Sequence, residues 1–104
     1  MIQVTTPSDT FTLPIETSTC TKIKVSYTQG RYKITKLYQN GSLPAGMTLD
    51  GRKVIIRLTQ EETKPFNPDY MANVQIRVKT TSGDVFASKI FKFYVGESLD
   101  KEVL

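Results

Sequence analysis

The sequence contains no histidine and only one cysteine, Cys20, among its 104 residues. Without histidine there is no imidazole to act as the usual general base or to complete a Ser-His or Cys-His nucleophile pair. The absence also removes the nitrogen ligand of most zinc sites, and one cysteine cannot form an internal disulfide. We therefore expect a protein that is not an enzyme and that binds no metal or cofactor.

Long apolar runs and a concentrated charge are also missing. No apolar run approaches the ~18 residues of a membrane span, and the first ten residues lack the charged and apolar regions of a signal peptide. Fourteen Lys and Arg against ten Asp and Glu give a net charge of +4, and the cations are spread among apolar residues. Without a signal peptide or a membrane span, we predict synthesis in the cytoplasm and no membrane partner. The charge excess is too small to require nucleic acid, so we predict that the cations form a solvated basic sheet face.

Apolar and β-branched residues alternate with polar residues at a period of two, which is typical of strands buried on one face. The predicted strands A to G span residues 10–15, 22–29, 32–38, 47–49, 53–58, 73–80 and 85–95. Gly30 and Asp50-Gly51 mark hairpin turns, and Pro14 places strand A at a sheet edge. About seven short strands without a long helix predict an all-β, single-domain antiparallel β-sandwich of immunoglobulin-like type over residues 1–95.

The segment between strands E and F carries three carboxylates, on Glu61, Glu62 and Asp69. Thr59-x-x-Glu62 fits a capping box, so we predict one short helical turn that carries the chain from one sheet to the other. A calcium site and a glycosidase carboxylate pair are the less favoured alternatives, because neither the ligand spacing nor a cleft is indicated. Tyr70, just before strand F, is predicted to be a corner tyrosine that bonds the backbone.

Strand G has apolar residues on both of its faces. One set comprises Val85, Ala87, Phe91, Phe93 and Val95, and the other comprises Phe86, Ile90 and Tyr94. Two interpretations stay open: a bulge near residues 87–88 shifts the register, or both faces are covered and the second set meets a partner.

The last nine residues, 96–104, are predicted to form a separate tail. Leu99, Val103 and Leu104 recur at helical spacing, which indicates a short amphipathic segment that docks on a neighbouring protein. A frayed terminus is the alternative of equal weight, because an isolated helix of this length is marginal in water.

Four stretches together resemble a known group of proteins: TFTLPIETS at residues 10–18, VIIRLTQEET at 54–63, VQIRVKTTSGDVFASKIF at 74–91, and the ending EVL. The resemblance is to short proteins encoded among the virion structural genes of bacteriophages and prophages of Firmicutes. It covers most of the chain, with residues 39–47 longer here. It implies a virion component rather than an enzyme, made in the host bacterial cytoplasm, with other virion proteins as partners.

Three functional hypotheses follow. The first is a capsid-decorating or tail-accessory subunit, alone or as a homo-oligomer, that acts through strand edges A and G, the tail, and the candidate interface residues Phe86, Ile90, Tyr94, Leu99, Val103 and Leu104. The second is a receptor- or glycan-binding module of a phage tail or baseplate, which would use Tyr38, the loop at residues 40–46 and nearby cations. The third and weakest is a small protein associated with nucleic acid, whose binding would depend steeply on salt.

Overall fold

The computed structural model describes all 104 residues as antiparallel strands joined by turns, with two very short helices. The strands are β1 (Ser8–Thr12), β2 (Cys20–Gln29), β3 (Tyr32–Gln39), β4 (Met47–Asp50), β5 (Lys53–Arg57), β6 (Met71–Thr80), β7 (Val85–Ala87) and β8 (Phe91–Tyr94). The α-helix α1 spans Gln60–Thr63, and a 3-10 helix spans Thr17–Thr19. No helix has the length and apolarity needed to span a membrane. The prediction of an antiparallel, all-β single domain is confirmed.

The strands form two sheets that share one hydrophobic core. The smaller sheet has the order β1-β5-β4, and the larger has the order β3-β2-β6-β7, with β8 paired to β6 beyond β7. Side chains from both sheets belong to the same buried cluster, including Val54 and Ile56 from β5 and Val25 and Ile76 from the larger sheet. Alternation along each strand therefore sends one set of side chains into the core and the other set to solvent.

The strand order differs from the predicted immunoglobulin-like arrangement. In that arrangement the second and third strands lie in different sheets, whereas here β2 pairs with β3 on one side and with β6 on the other. The cause is local, because Gln29 pairs with Tyr32 and leaves only Gly30 and Arg31 in the turn. Gly30 takes a φ of +56°, and a two-residue turn of this kind keeps both strands neighbours in one sheet. The immunoglobulin-like strand order therefore does not hold for β2, which lies in the same sheet as β3.

The predicted capping box is present at the start of α1. The Glu62 amide donates to Thr59 Oγ1 at 3.1 Å, and the Thr59 amide donates to Glu62 Oε1 at 3.0 Å. The helix joins β5 of the smaller sheet to β6 of the larger one, so the predicted crossing between sheets is confirmed. The reciprocal bonds satisfy amides that have left the β-ladder.

Tyr70 does not make the predicted corner contact, and a different tyrosine, Tyr32, bonds the backbone at α1. Tyr70 is 69% exposed, whereas the Tyr32 hydroxyl donates to the Glu62 carbonyl at 2.7 Å. Tyr32 lies at the start of β3, where the inward face of the strand meets α1. The prediction failed because the position of a tyrosine just before a strand does not reveal which strand end lies against the helix.

Candidate functional site

The two sides of the molecule differ in how the gap between the sheets is closed. On the side of β3 and β4, Lys36 Nζ lies 2.8 Å from Glu62 Oε2, and both side chains are largely buried. On the same side, the Arg57 amide donates to the Gly46 carbonyl at 2.7 Å, which draws the loop before β4 onto β5. Ion pair and loop together seal this side of the core.

The ion pair makes the stability of the fold depend on pH. Burial raises the pKa of Glu62, but the contacts with Lys36 and Thr59 lower it by more, so the net pKa lies below its ordinary value of 4.5. A carboxyl with a depressed folded-state pKa stabilises the fold fully above its unfolded-state pKa, and this contribution is lost as the pH falls through the folded-state value. Its loss therefore occurs below pH 4.5.

We expect the free energy of unfolding to fall further on acidification in the unmodified chain than in the Glu62→Gln variant. Between about pH 6 and pH 3 the difference should be about 1 kcal/mol, because Glu62 accepts charge-assisted hydrogen bonds that its protonation weakens. Urea titrations at several pH values measure this directly. An equal decrease in the free energy of unfolding of the two proteins would mean that the charge of Glu62 does not stabilise the fold.

The opposite side of the molecule, between β1 and the strands β7 and β8, is open. An apolar groove of about 660 Å³ lies there between the two sheets. Its lining includes Val74, Ile76 and Val78 from β6, Phe11 from β1, Leu13 after β1, and Phe86, Phe91 and Phe93 from β7 and β8. We call this feature the edge groove. It is continuous with the core, because the β6 residues in its lining also belong to the buried cluster.

A bulge in the predicted strand G shapes one wall of the edge groove. Ala87 pairs with Arg77 and Phe91 pairs with Val74, so the edge carries one more residue than β6 over the same stretch. Ser88 fills the interruption, since its amide donates to the Ile76 carbonyl at 2.8 Å and its Oγ accepts from the Ile76 amide at 3.1 Å. The bulge interpretation is confirmed, and the shift in register turns both Phe86 and Phe91 inward.

The three residues proposed as a partner surface on strand G do not share one face. Phe86 stands at the rim of the edge groove and is 51% exposed, whereas Ile90 projects from the bulge. Tyr94 lies on the outer face of the larger sheet, where its hydroxyl donates to Asp69 Oδ1. Of the three, only Phe86 belongs to the edge groove. Sequence reasoning missed Phe11 and Phe91 as site residues, because nothing local indicates that strands A and G lie side by side.

The tail is not helical, so the helix indicated by its apolar spacing does not form. The Glu102 amide donates to Asp100 Oδ1 at 2.9 Å, and this local turn competes with a helix. At its end the Leu104 amide donates to Gln60 Oε1 at 2.8 Å, which returns the tail to α1. Leu99 and Leu104 remain fully exposed and Val103 is half-buried.

The free edge of β1 borders the edge groove with unused backbone groups. The Leu13 amide donates to the Arg52 carbonyl at 2.7 Å, and the Leu58 amide donates to the Pro7 carbonyl at 3.1 Å. Because backbone groups alternate in direction along a strand, the amides of Thr10 and Thr12 point away from β5. A further strand could bond these groups and extend the smaller sheet.

The lining of the edge groove contains few ionisable groups. Asp9 is the one acidic residue in its lining, and it accepts from the Tyr27 hydroxyl at 2.6 Å. Burial, and next the hydrogen bond to Asp9, raise the pKa of Tyr27 far above its ordinary range, so the phenol stays neutral. Outside the lining, Lys89 Nζ lies 5.3 Å from the centroid of the Phe91 ring.

The other residues singled out from the sequence are engaged elsewhere. Glu62 belongs to the capping box, and Asp69 accepts from Tyr94, so the three carboxylates between β5 and β6 do not gather into one site. Tyr38 packs against the core and does not stand free as a platform for a sugar ring.

Comparison with known proteins adds no assignment: no family model and no curated protein matches the chain.

Proposed function

We propose that this chain is a bacteriophage structural protein, a capsid-decorating or tail-accessory subunit without enzymatic activity. It binds a neighbouring virion protein by accepting an extended segment of that protein along β1. The observation that carries this proposal is the edge groove, an apolar space beside an unpaired strand edge. The resemblance of the sequence to virion structural proteins supports the choice of partner.

An extended strand is the ligand that satisfies both parts of this site. Its backbone would pair with the outward groups of Thr10 and Thr12, and every second side chain would enter the edge groove against Phe11 and Phe86. A helix could fill the apolar space but would leave the edge of β1 unpaired. A small apolar molecule would likewise fill the edge groove and leave the edge of β1 unpaired.

The edge of β1 is bounded in a way that suits one short strand. Pro7 precedes the strand and Pro14 follows it closely, and both residues line the edge groove. Proline cannot donate to a ladder, and the alternation that turns the amides of Thr10 and Thr12 outward places the missing amide of Pro14 on the free edge, so pairing ends there. Such limits protect an edge from indefinite aggregation while leaving a defined acceptor. Leu99 and Leu104, exposed on the tail, would add a second contact in the assembled particle.

The proposal predicts that a single backbone amide controls attachment to the particle. A Thr10→Pro variant removes the outward amide of β1, whereas a Thr10→Val variant keeps it and changes the same exposed side chain. We expect the tagged unmodified chain and Thr10→Val to co-sediment with purified phage particles, and Thr10→Pro to lose at least about nine-tenths of this binding.

A second variant keeps the test valid if the Thr10→Pro protein does not fold. Phe86→Lys places a charge on the half-exposed rim of the edge groove without altering the backbone, and it should abolish co-sedimentation in the same way. If none of the proteins co-sediments, the virion assignment is wrong. If all four bind equally, the partner does not use the edge groove. Self-association of the purified chain that Thr10→Pro abolishes would identify a second copy as the occupant instead.

A further inference from the structure

The outer face of the larger sheet carries a cluster of positive charge. Six cations project from it, and they are Lys22, Lys24, Lys33, Arg77, Lys79 and Lys92. None of the five strands of this sheet contains an Asp or Glu. Asp69 borders this face through its hydrogen bond with Tyr94, and elsewhere eight of the fourteen Lys and Arg stand against nine of the ten Asp and Glu. The whole excess of positive charge therefore belongs to this surface, which we call the basic face.

Register brings like charges directly together on the basic face. Lys24 lies opposite Arg77, and Lys22 lies opposite Lys79, on strands about 4.8 Å apart. Like charges in directly opposed positions destabilise a sheet, and no cation of this face takes part in an ion pair. An anionic ligand bound to this face would reduce the repulsion between these cations.

The structure brings together cations that are spread along the sequence. In the sequence, Lys36 and Lys53 have the same alternating setting as the six cations of the basic face. The structure turns Lys36 inward to Glu62 and places Lys53 and Arg57 on the outer face of the smaller sheet, and so separates them from the others. The remaining cations gather because β2 and β6 pair in one particular register.

We propose that the basic face binds the phosphodiester backbone of duplex DNA without regard to base sequence. Hydroxyl and amide side chains lie among the cations on the same face, namely Ser26, Thr28, Thr35 and Asn73. Such groups, with Lys and Arg, make most of the contacts that proteins form with DNA phosphates. The basic face supplies the charge and the hydrogen-bond donors in one plane.

Two features decide between duplex DNA and other anionic partners. Tyr94 is the one aromatic side chain that the strands send to this face, so the stacking platforms of single-strand binding proteins are missing. The exposed apolar side chains of the face lie at its margins, with Leu37 and Val85 on the edge strands β3 and β7 and Met71 at the end of β6. Its centre holds the opposed pair Lys24 and Arg77, whereas protein interfaces usually centre on buried apolar anchors. Charge and hydrogen bonding to phosphates explain the composition better than an acidic protein does.

The test is the salt dependence of binding to a labelled duplex of about 20 base pairs with random sequence, measured by fluorescence anisotropy. Each phosphate contact contributes about −0.9 to the slope of log K against log salt concentration. In the double variant Lys24→Gln, Arg77→Gln we expect the slope to become shallower by about 1.8 and the affinity at low salt to fall at least about tenfold. The control variant Lys53→Gln, Arg57→Gln has the same net charge and should keep the original slope.

A stability measurement separates lost binding from lost folding. Because Lys24 and Arg77 repel each other, their replacement by glutamine should leave the melting temperature unchanged or raise it. The proposal is overturned if the control variant loses as much affinity, since net charge alone would then explain binding. Tighter binding to a single strand of equal length, or equal binding to poly-glutamate, would overturn it as well. The edge groove lies on the inner side of the sheets, so this test is independent of strand capture.

Discussion

Replacing Phe66 by alanine is expected to lower the free energy of unfolding by about 3–5 kcal/mol. Phe66 is 1% exposed and lies between α1 and β6, where the two sheets are joined. Its ring makes edge-to-face contacts with Tyr32 at 5.1 Å and with Phe93 at 6.0 Å between centroids. Truncation removes these contacts and leaves a cavity that the surrounding strands cannot close. A loss of this size is a large part of the ~5–15 kcal/mol that holds a typical domain folded.

Urea titration followed by circular dichroism measures the effect. The matched control is Phe86→Ala, which removes the same ring from the half-exposed rim of the edge groove. We expect it to lower the free energy of unfolding by only about 1–2 kcal/mol, because about half of the surface of this side chain is already in contact with water. Equal losses for the two variants would mean that Phe66 is not part of the closely packed core.

The second large effect is expected at Gly46, where alanine should lower the free energy of unfolding by about 3 kcal/mol or more. Gly46 has a φ of +82°, in the left-handed region that side chains disfavour. A Cβ at this position would also lie well inside van der Waals contact of the Arg57 carbonyl oxygen. The chain cannot move away cheaply, because the same pair of residues is joined by the hydrogen bond that seals this side of the molecule.

Gly41 in the same loop provides the control, since its φ is +85° and a methyl group added there would meet nothing within 4 Å beyond its chain neighbours. Gly41→Ala should therefore lower the free energy of unfolding by only about 1 kcal/mol, the effect of the backbone conformation alone. The difference between the two variants isolates the close approach at Gly46. If both variants lose the same amount, the contact between the loop and β5 is looser than the structure indicates.

Much of the local structure was predictable from neighbouring residues. Alternation located the strands, the Thr59 and Glu62 pair located the helical turn, and Gly30 located the first hairpin. The same hairpin argued against the immunoglobulin-like order, since a two-residue turn ties both strands to one sheet. The predicted helix in the tail failed for the complementary reason, because apolar spacing alone does not overcome a competing turn at Asp100.

The sequence by itself determined which segments are strands, where they turn and which face of each strand is apolar, because these properties depend on residues a few positions apart. Only the tertiary structure decided that β1 lies beside β7 and β8 to form the edge groove, and that Lys24 stands opposite Arg77 on the basic face. Both features join residues that are far apart along the chain. A shift of one residue in a strand pairing would send the side chains to the other face, so such features are set by the packing of the whole core.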